Sequence, residues 1–138
     1  MTRRFVTFTA FAAFVLAAPL ARAEEMQPGQ YVSINVIELA NGQKRTHEAR
    51  ECLTAKDIAD GLTKVGVERD NDCKARDLVK GKGKITYRLI CEEDGTKWSA
   101  EVVGTYTAGS YEFVLKAASP GPGIRSIKAS GKRLGACR

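Results

Sequence analysis

Apolar and polar residues alternate with period two along much of the chain beyond residue 30, the pattern of antiparallel strands with one buried face. In YVSINV, Val32, Ile34 and Val36 alternate with Ser33 and Asn35; in ITYRLIC, Ile85, Tyr87, Leu89 and Cys91 share a face. Trp98, Ala100, Val102, Gly104 and Tyr106 share one face of the next run. Tyr111, Phe113, Leu115 and Ala117 share one of the run after it, with Glu112 and Lys116 opposite. Asn41-Gly42 and Asp94-Gly95 punctuate these runs as hairpin turns, because both residue types tolerate positive φ. The irregular connection is ASPGPGIRS, where Pro120 and Pro122 lack the N–H that a ladder needs.

One stretch departs from this pattern. In CLTAKDIADGLTKVG, Thr54 and Asp57 have capping-box spacing, and Ile58, Leu62 and Val65 fall at i, i+4 and i+7. This predicts a short helix from Thr54 to Val65, stopped by Gly66 and weakened by Gly61, which costs roughly 1 kcal/mol relative to alanine. The expected architecture is mainly β (α+β): an antiparallel up-and-down meander of about seven strands, curled into a half-barrel or barrel, with one short helix. Tyr87, Trp98, Tyr111 and Phe113 would fill its curved face or meet a ligand there.

The first residues change the charge argument. Arg3 and Arg4 precede the apolar stretch Phe5 to Ala18, and Ala21-Arg22-Ala23 offers small residues where a signal peptidase reads them. The stretch is shorter than the ~20 residues of a membrane span. Residues 1–23 therefore read as a cleaved signal peptide and 24–138 as a single disulfide-stapled β domain exported to the periplasm, with no transmembrane anchor after cleavage. The whole chain has 22 Lys+Arg and 16 Asp+Glu. Cleavage removes Arg3, Arg4 and Arg22 and no acid, leaving 19 against 16. So small an excess, interspersed with acids, gives no case for a nucleic-acid partner. The densest basic run, Lys80, Lys82 and Lys84 between glycines, reads as an exposed hairpin able to touch anionic material.

Cys52, Cys73, Cys91 and Cys137 are 21, 18 and 46 residues apart. Zinc sites favour close pairs two to four residues apart, and no Cys-x-x-Cys is present, so an even set in an exported chain reads as two disulfides. Three pairings are possible. Placement on the expected strands favours Cys52–Cys73, clamping the helical insert, and Cys91–Cys137, holding the final strand; the other two pairings stay open.

Candidate chemistry is sparse. His47 is the sole histidine, set among charged residues without a nucleophile motif. Glu92, Glu93 and Asp94 cluster beside a turn but lack the ligand spacing of a calcium loop. No catalytic residue, metal or cofactor is expected.

QPGQYV, ECLTAKDIA, DCKARDL, ITYRLIC, VVGTYTAGSYEF and the closing SGKRLGAC together resemble the exported bacterial family known as domain of unknown function 3617. The resemblance spans nearly all of residues 24–138 and is most specific around the four cysteines. The chain departs from the family pattern at Tyr31, where members often carry Trp, and in lacking their Met- and Gly-rich loops. The resemblance implies location and architecture but no activity. Two functions are consistent with these residues: a non-enzymatic periplasmic protein binding an apolar or amphipathic small molecule in a curved sheet, or a structural or interaction module for another cell-envelope component. A roomy interior favours the first; a filled one with an exposed apolar patch favours the second.

Overall fold

A computed structural model describes residues 25–63, 72–118 and 123–138. The proposed signal peptide, Val65, Gly66, Pro120 and Pro122 lie outside the described residues. Seven strands form one antiparallel sheet: β1 (Gly29–Leu39), β2 (Lys44–Leu53), β3 (Asp72–Gly81), β4 (Lys84–Glu93), β5 (Thr96–Tyr106), β6 (Ser110–Ala117) and β7 (Ile124–Gly135). Among the described residues one short helix, α1 (Ala55–Ala59), follows β2.

The spatial order is β2-β1-β7-β6-β5-β4-β3. Strands β3 to β7 form the expected up-and-down meander. The β1–β2 hairpin joins it through β1, which lies antiparallel to β7. The sheet stays open, with β2 and β3 as its edges, so the barrel alternative does not hold.

Both edges meet α1. Gly61 just beyond the helix abuts the Leu78 side chain of β3, and Lys80 of β3 donates from Nζ to the Ile58 carbonyl at 3.0 Å. Lys80 thus leaves the expected basic hairpin and turns toward the helix; its ammonium also lies 6.0 Å from the Tyr106 ring centroid. Lys82-Gly83 forms the β3–β4 turn, both at positive φ.

The capping box forms as expected: Thr54 Oγ1 accepts from Asp57 N at 3.1 Å, and Asp57 Oδ2 accepts from Thr54 N at 2.9 Å. The helix nevertheless ends well before Val65. Gly61 takes φ 75° and donates to the Ile58 carbonyl, while Leu62 donates to that of Asp57, a glycine C-cap of the Schellman type. Gly61 therefore acts as the stop and not as an interior defect. It aims Leu62 into the core, where that side chain is 1% exposed.

The facing of β1 corrects the sequence reading. Tyr31 and Ser33 are buried, and Val32, Ile34 and Val36 lie on the opposite face. Side chains alternate strictly, so one aromatic decides for the whole strand. Tyr31 packs against Tyr111 with ring centroids 5.9 Å apart, and that contact turns the aliphatic residues outward.

The disulfide pairing is also corrected. Cys52 bonds Cys137 with Cα atoms 5.5 Å apart, and Cys73 bonds Cys91 with Cα atoms 4.0 Å apart. Cys52–Cys73 does not form, because no ladder joins β2 to β3 and each cysteine has a nearer partner. Cys73 instead faces Cys91 directly across the β3–β4 ladder. Gln30 of β1 pairs with Cys52 on one side and Gly135 on the other, which brings the tail after β7 within reach of β2.

Candidate interaction surface

Tyr87, Trp98, Tyr111 and Phe113 do share the inner face, as expected. There they belong to the buried core. Tyr111 is 1% exposed and Trp98 6%. Tyr111 and Phe113 rings stand 5.5 Å apart. Gly131, opposite Tyr111 on β7, and Gly104, opposite Phe113 on β5, leave floor space that the two rings fill. Ile58 and Leu62 pack on this core from the helical side, and Met26 joins it from the chain before β1. That N-terminal segment is held by Gln27 N donating to the Ala108 carbonyl and Arg133 Nε to the Pro28 carbonyl.

Polar groups inside are mostly tied to the backbone or to one another. Tyr31 Oη donates to the Gln27 carbonyl at 2.7 Å, and Tyr111 Oη donates to Glu51 Oε1 at 2.6 Å. Asn35 Oδ1 and Trp98 Nε1 are buried without a protein partner.

Burial disfavours the phenolate and pushes Tyr87 up to about 12. Tyr111 is raised further, by burial first and then by its bond to the Glu51 carboxylate, and burial also raises Tyr31. A group raised on folding stabilises the fold fully below its unfolded pKa, near 10 for tyrosine, and loses that contribution as pH climbs through the folded value. Stability is therefore expected to fall from about pH 10 toward pH 12. Absorbance at 295 nm should show these three phenols ionising together with the unfolding seen by circular dichroism; their full titration in a folded protein would contradict the burial.

The remaining sequence candidates do not converge. His47 lies exposed on edge strand β2, opposite Asn35 of β1. Glu92 and Glu93 end β4, and Asp94 occupies the turn with φ 48°. All four cysteines are in disulfides. Among the described residues no three His, Cys, Asp or Glu side chains group as metal ligands would. None of the described helices is long and apolar enough to cross a membrane.

The outer face is different. Val36, Lys128, Val114, Val103, Thr86 and Val79 lie side by side across β1, β7, β6, β5, β4 and β3. Val103 is 55% and Val79 67% exposed, and Ile34 in the next row is 44% exposed. A shallow groove of about 440 Å³ runs beside this band, with Val32 and Ile34 as apolar floor and Thr105, Glu112, Ser130 and Lys132 around it. Reading the alternation of β1 as inward-facing concealed this surface; the signal that would have exposed it is Tyr31, one residue out of phase with the valines.

The sequence profile of the family described as "protein of unknown function (DUF3617)" matches residues 26–137, which includes every described strand and all four cysteines. No curated protein and no solved structure matches the chain. With the match running from Met26 beside the core to Cys137 at the second staple, the chain belongs to the DUF3617 family.

Proposed function

We propose that this chain is an exported, non-enzymatic interaction module that docks on another cell-envelope component through the outer face of its sheet. The observation that carries the reading is the contrast between the two faces. The inner one is packed with aromatic rings, whereas the outer one leaves Ile34 and Val103 in solvent. Contiguous exposed apolar residues on a small stapled domain mark contact surfaces. An interior ligand, the other expectation, would have to displace Tyr111 or Phe113 from contacts that two glycines are shaped to accept.

Export is supported by the leader-like residues 1–23 and by two disulfides, which persist in oxidising compartments. Intact mass of the periplasmic protein should give an N-terminus at Glu24; a species retaining Phe5 to Ala18 would contradict cleavage there. The non-enzymatic reading rests on an exposed, isolated His47 and on cysteines consumed in bonds.

The docking test is retention of the exported protein on washed cell envelopes. Wild type should sediment with them, and Ile34→Glu/Val103→Glu, altered only at exposed positions, should stay in the supernatant while keeping its circular dichroism spectrum. Retention of that variant equal to wild type would overturn the outer-face assignment.

A further inference from the structure

The charges around the valine band indicate what kind of component the face meets. Lys128 sits within the band itself, between Val36 and Val114, and Lys132 stands four residues along the same strand on the same face. Arg50, beside Val32, and Lys84, beside Thr105, extend the basic groups toward both edges, and Lys116 lies next to Ser126 in the row beyond. Glu38, Glu48, Glu101 and Glu112 are the acids interleaved with them, four against these five cations, and Glu38 is engaged by Arg125 at 3.3 Å. Arg88 is already engaged with Asp77 at 2.8 Å.

The composition of this face separates two classes of partner. Protein interfaces concentrate their energy in Trp, Tyr and Arg seated in pockets, and they are depleted in lysine. Here the aromatic side chains of the described residues all belong to the core or pack against it. What remains outside is short aliphatic chains, glutamates, Arg50 toward one edge, Arg88 held by Asp77, and long flexible lysines at the centre of a broad open surface. Lysines near an anionic bilayer gain from its surface potential, and exposed valine and isoleucine side chains add apolar contact at headgroup depth. Resting on the docking function above, we infer that the outer face binds an anionic lipid surface, with Lys128 and Lys132 at the phosphates and Ile34 and Val103 against the interfacial carbons.

The test uses the exported protein, its N-terminus checked by mass, with two kinds of vesicle. One is mixed phosphatidylcholine and phosphatidylglycerol; the other is phosphatidylcholine alone. Co-sedimentation is expected on the mixed vesicles only, weakening as salt shortens the screening length. Lys128→Glu/Lys132→Glu should lower the apparent affinity at least about tenfold. Arg45→Glu/Lys56→Glu changes net charge equally but away from this face, on the inner side of β2 and on α1, and should stay within about twofold of wild type. Equal binding to both vesicles, binding to neither, or equal losses in the two double variants would overturn the lipid assignment. Lack of vesicle binding with envelope retention that still depends on Ile34 and Val103 would leave the docking function standing with a protein partner. Envelope retention indifferent to both residues would remove the docking function and this inference together.

Discussion

Replacing Cys137 with serine should cost about 4–5 kcal/mol, the largest effect expected of any single substitution here. The bond it removes closes a loop of 85 residues, and the chain-entropy account gives a stabilisation that grows with loop length. The Cys73–Cys91 bond closes only 18, so Cys73→Ser should cost about 3 kcal/mol. For a domain of this size the loss at Cys137 corresponds to a fall in thermal midpoint on the order of 15 °C. The same variant reports the pairing: Cys52, exposed near the end of β2, should become the alkylatable thiol while Cys73 and Cys91 stay protected. Alkylation at Cys91 would refute the pairing. In the wild-type protein mild reductant should open Cys52–Cys137 first, because both its residues are exposed whereas Cys91 is 1% exposed.

Gly131→Ala is the second large effect, expected to cost roughly 2–3 kcal/mol by overpacking. A Cβ built at Gly131 falls on the Tyr111 ring, which is wedged between Tyr31 and Phe113 and fixed at its hydroxyl by Glu51. The ring has no free direction in which to yield. Denaturant titration should show a lower midpoint with an unchanged slope. Tyr111→Leu in the same molecule should recover part of the loss, a coupling of about 1 kcal/mol or more in a double-mutant cycle. Gly81, where an added Cβ meets nothing within 4 Å, is the control: Gly81→Ala should be neutral or slightly stabilising. A wild-type midpoint for Gly131→Ala would mean that Tyr111 does not sit over that glycine.

The fold class was legible because β4, β5 and β6 each carry an unbroken alternation whose buried set includes an aromatic ring. Phase and size agree there. On β1 they conflict: three aliphatics stand against one tyrosine, and the tyrosine prevails because Tyr111 and Gly131 provide a seat for it. No local pattern contains that information. Long-range pairing was equally hidden, since nothing between Leu53 and Asp72 announces that β2 and β3 will be opposite edges. The four cysteines were recognisable as staples, but their partners depend on that order. The helix was half legible: Thr54 and Asp57 mark its start, but Gly61 could serve as an interior residue or a cap until Leu62 found its place in the core. The outer surface went unread for the same reason as β1, because outward-facing and inward-facing valines look alike in sequence.

The placement of β1 against β7 also sets a timetable. The first strand of the sheet has one neighbour 5 residues away in the chain, across the turn from Leu39 to Lys44, and its other neighbour at the far C-terminal end. A two-stranded hairpin alone is marginal in water. The β1–β2 hairpin therefore remains without lasting structure until β7 emerges, and such distant pairing slows folding. Strands β3 to β6, by contrast, pair with their sequence neighbours and carry the short Cys73–Cys91 closure, so their pairing does not wait for β7. Arrival of β7 is then the event that seats β1 and β2 and gives the sheet its full width.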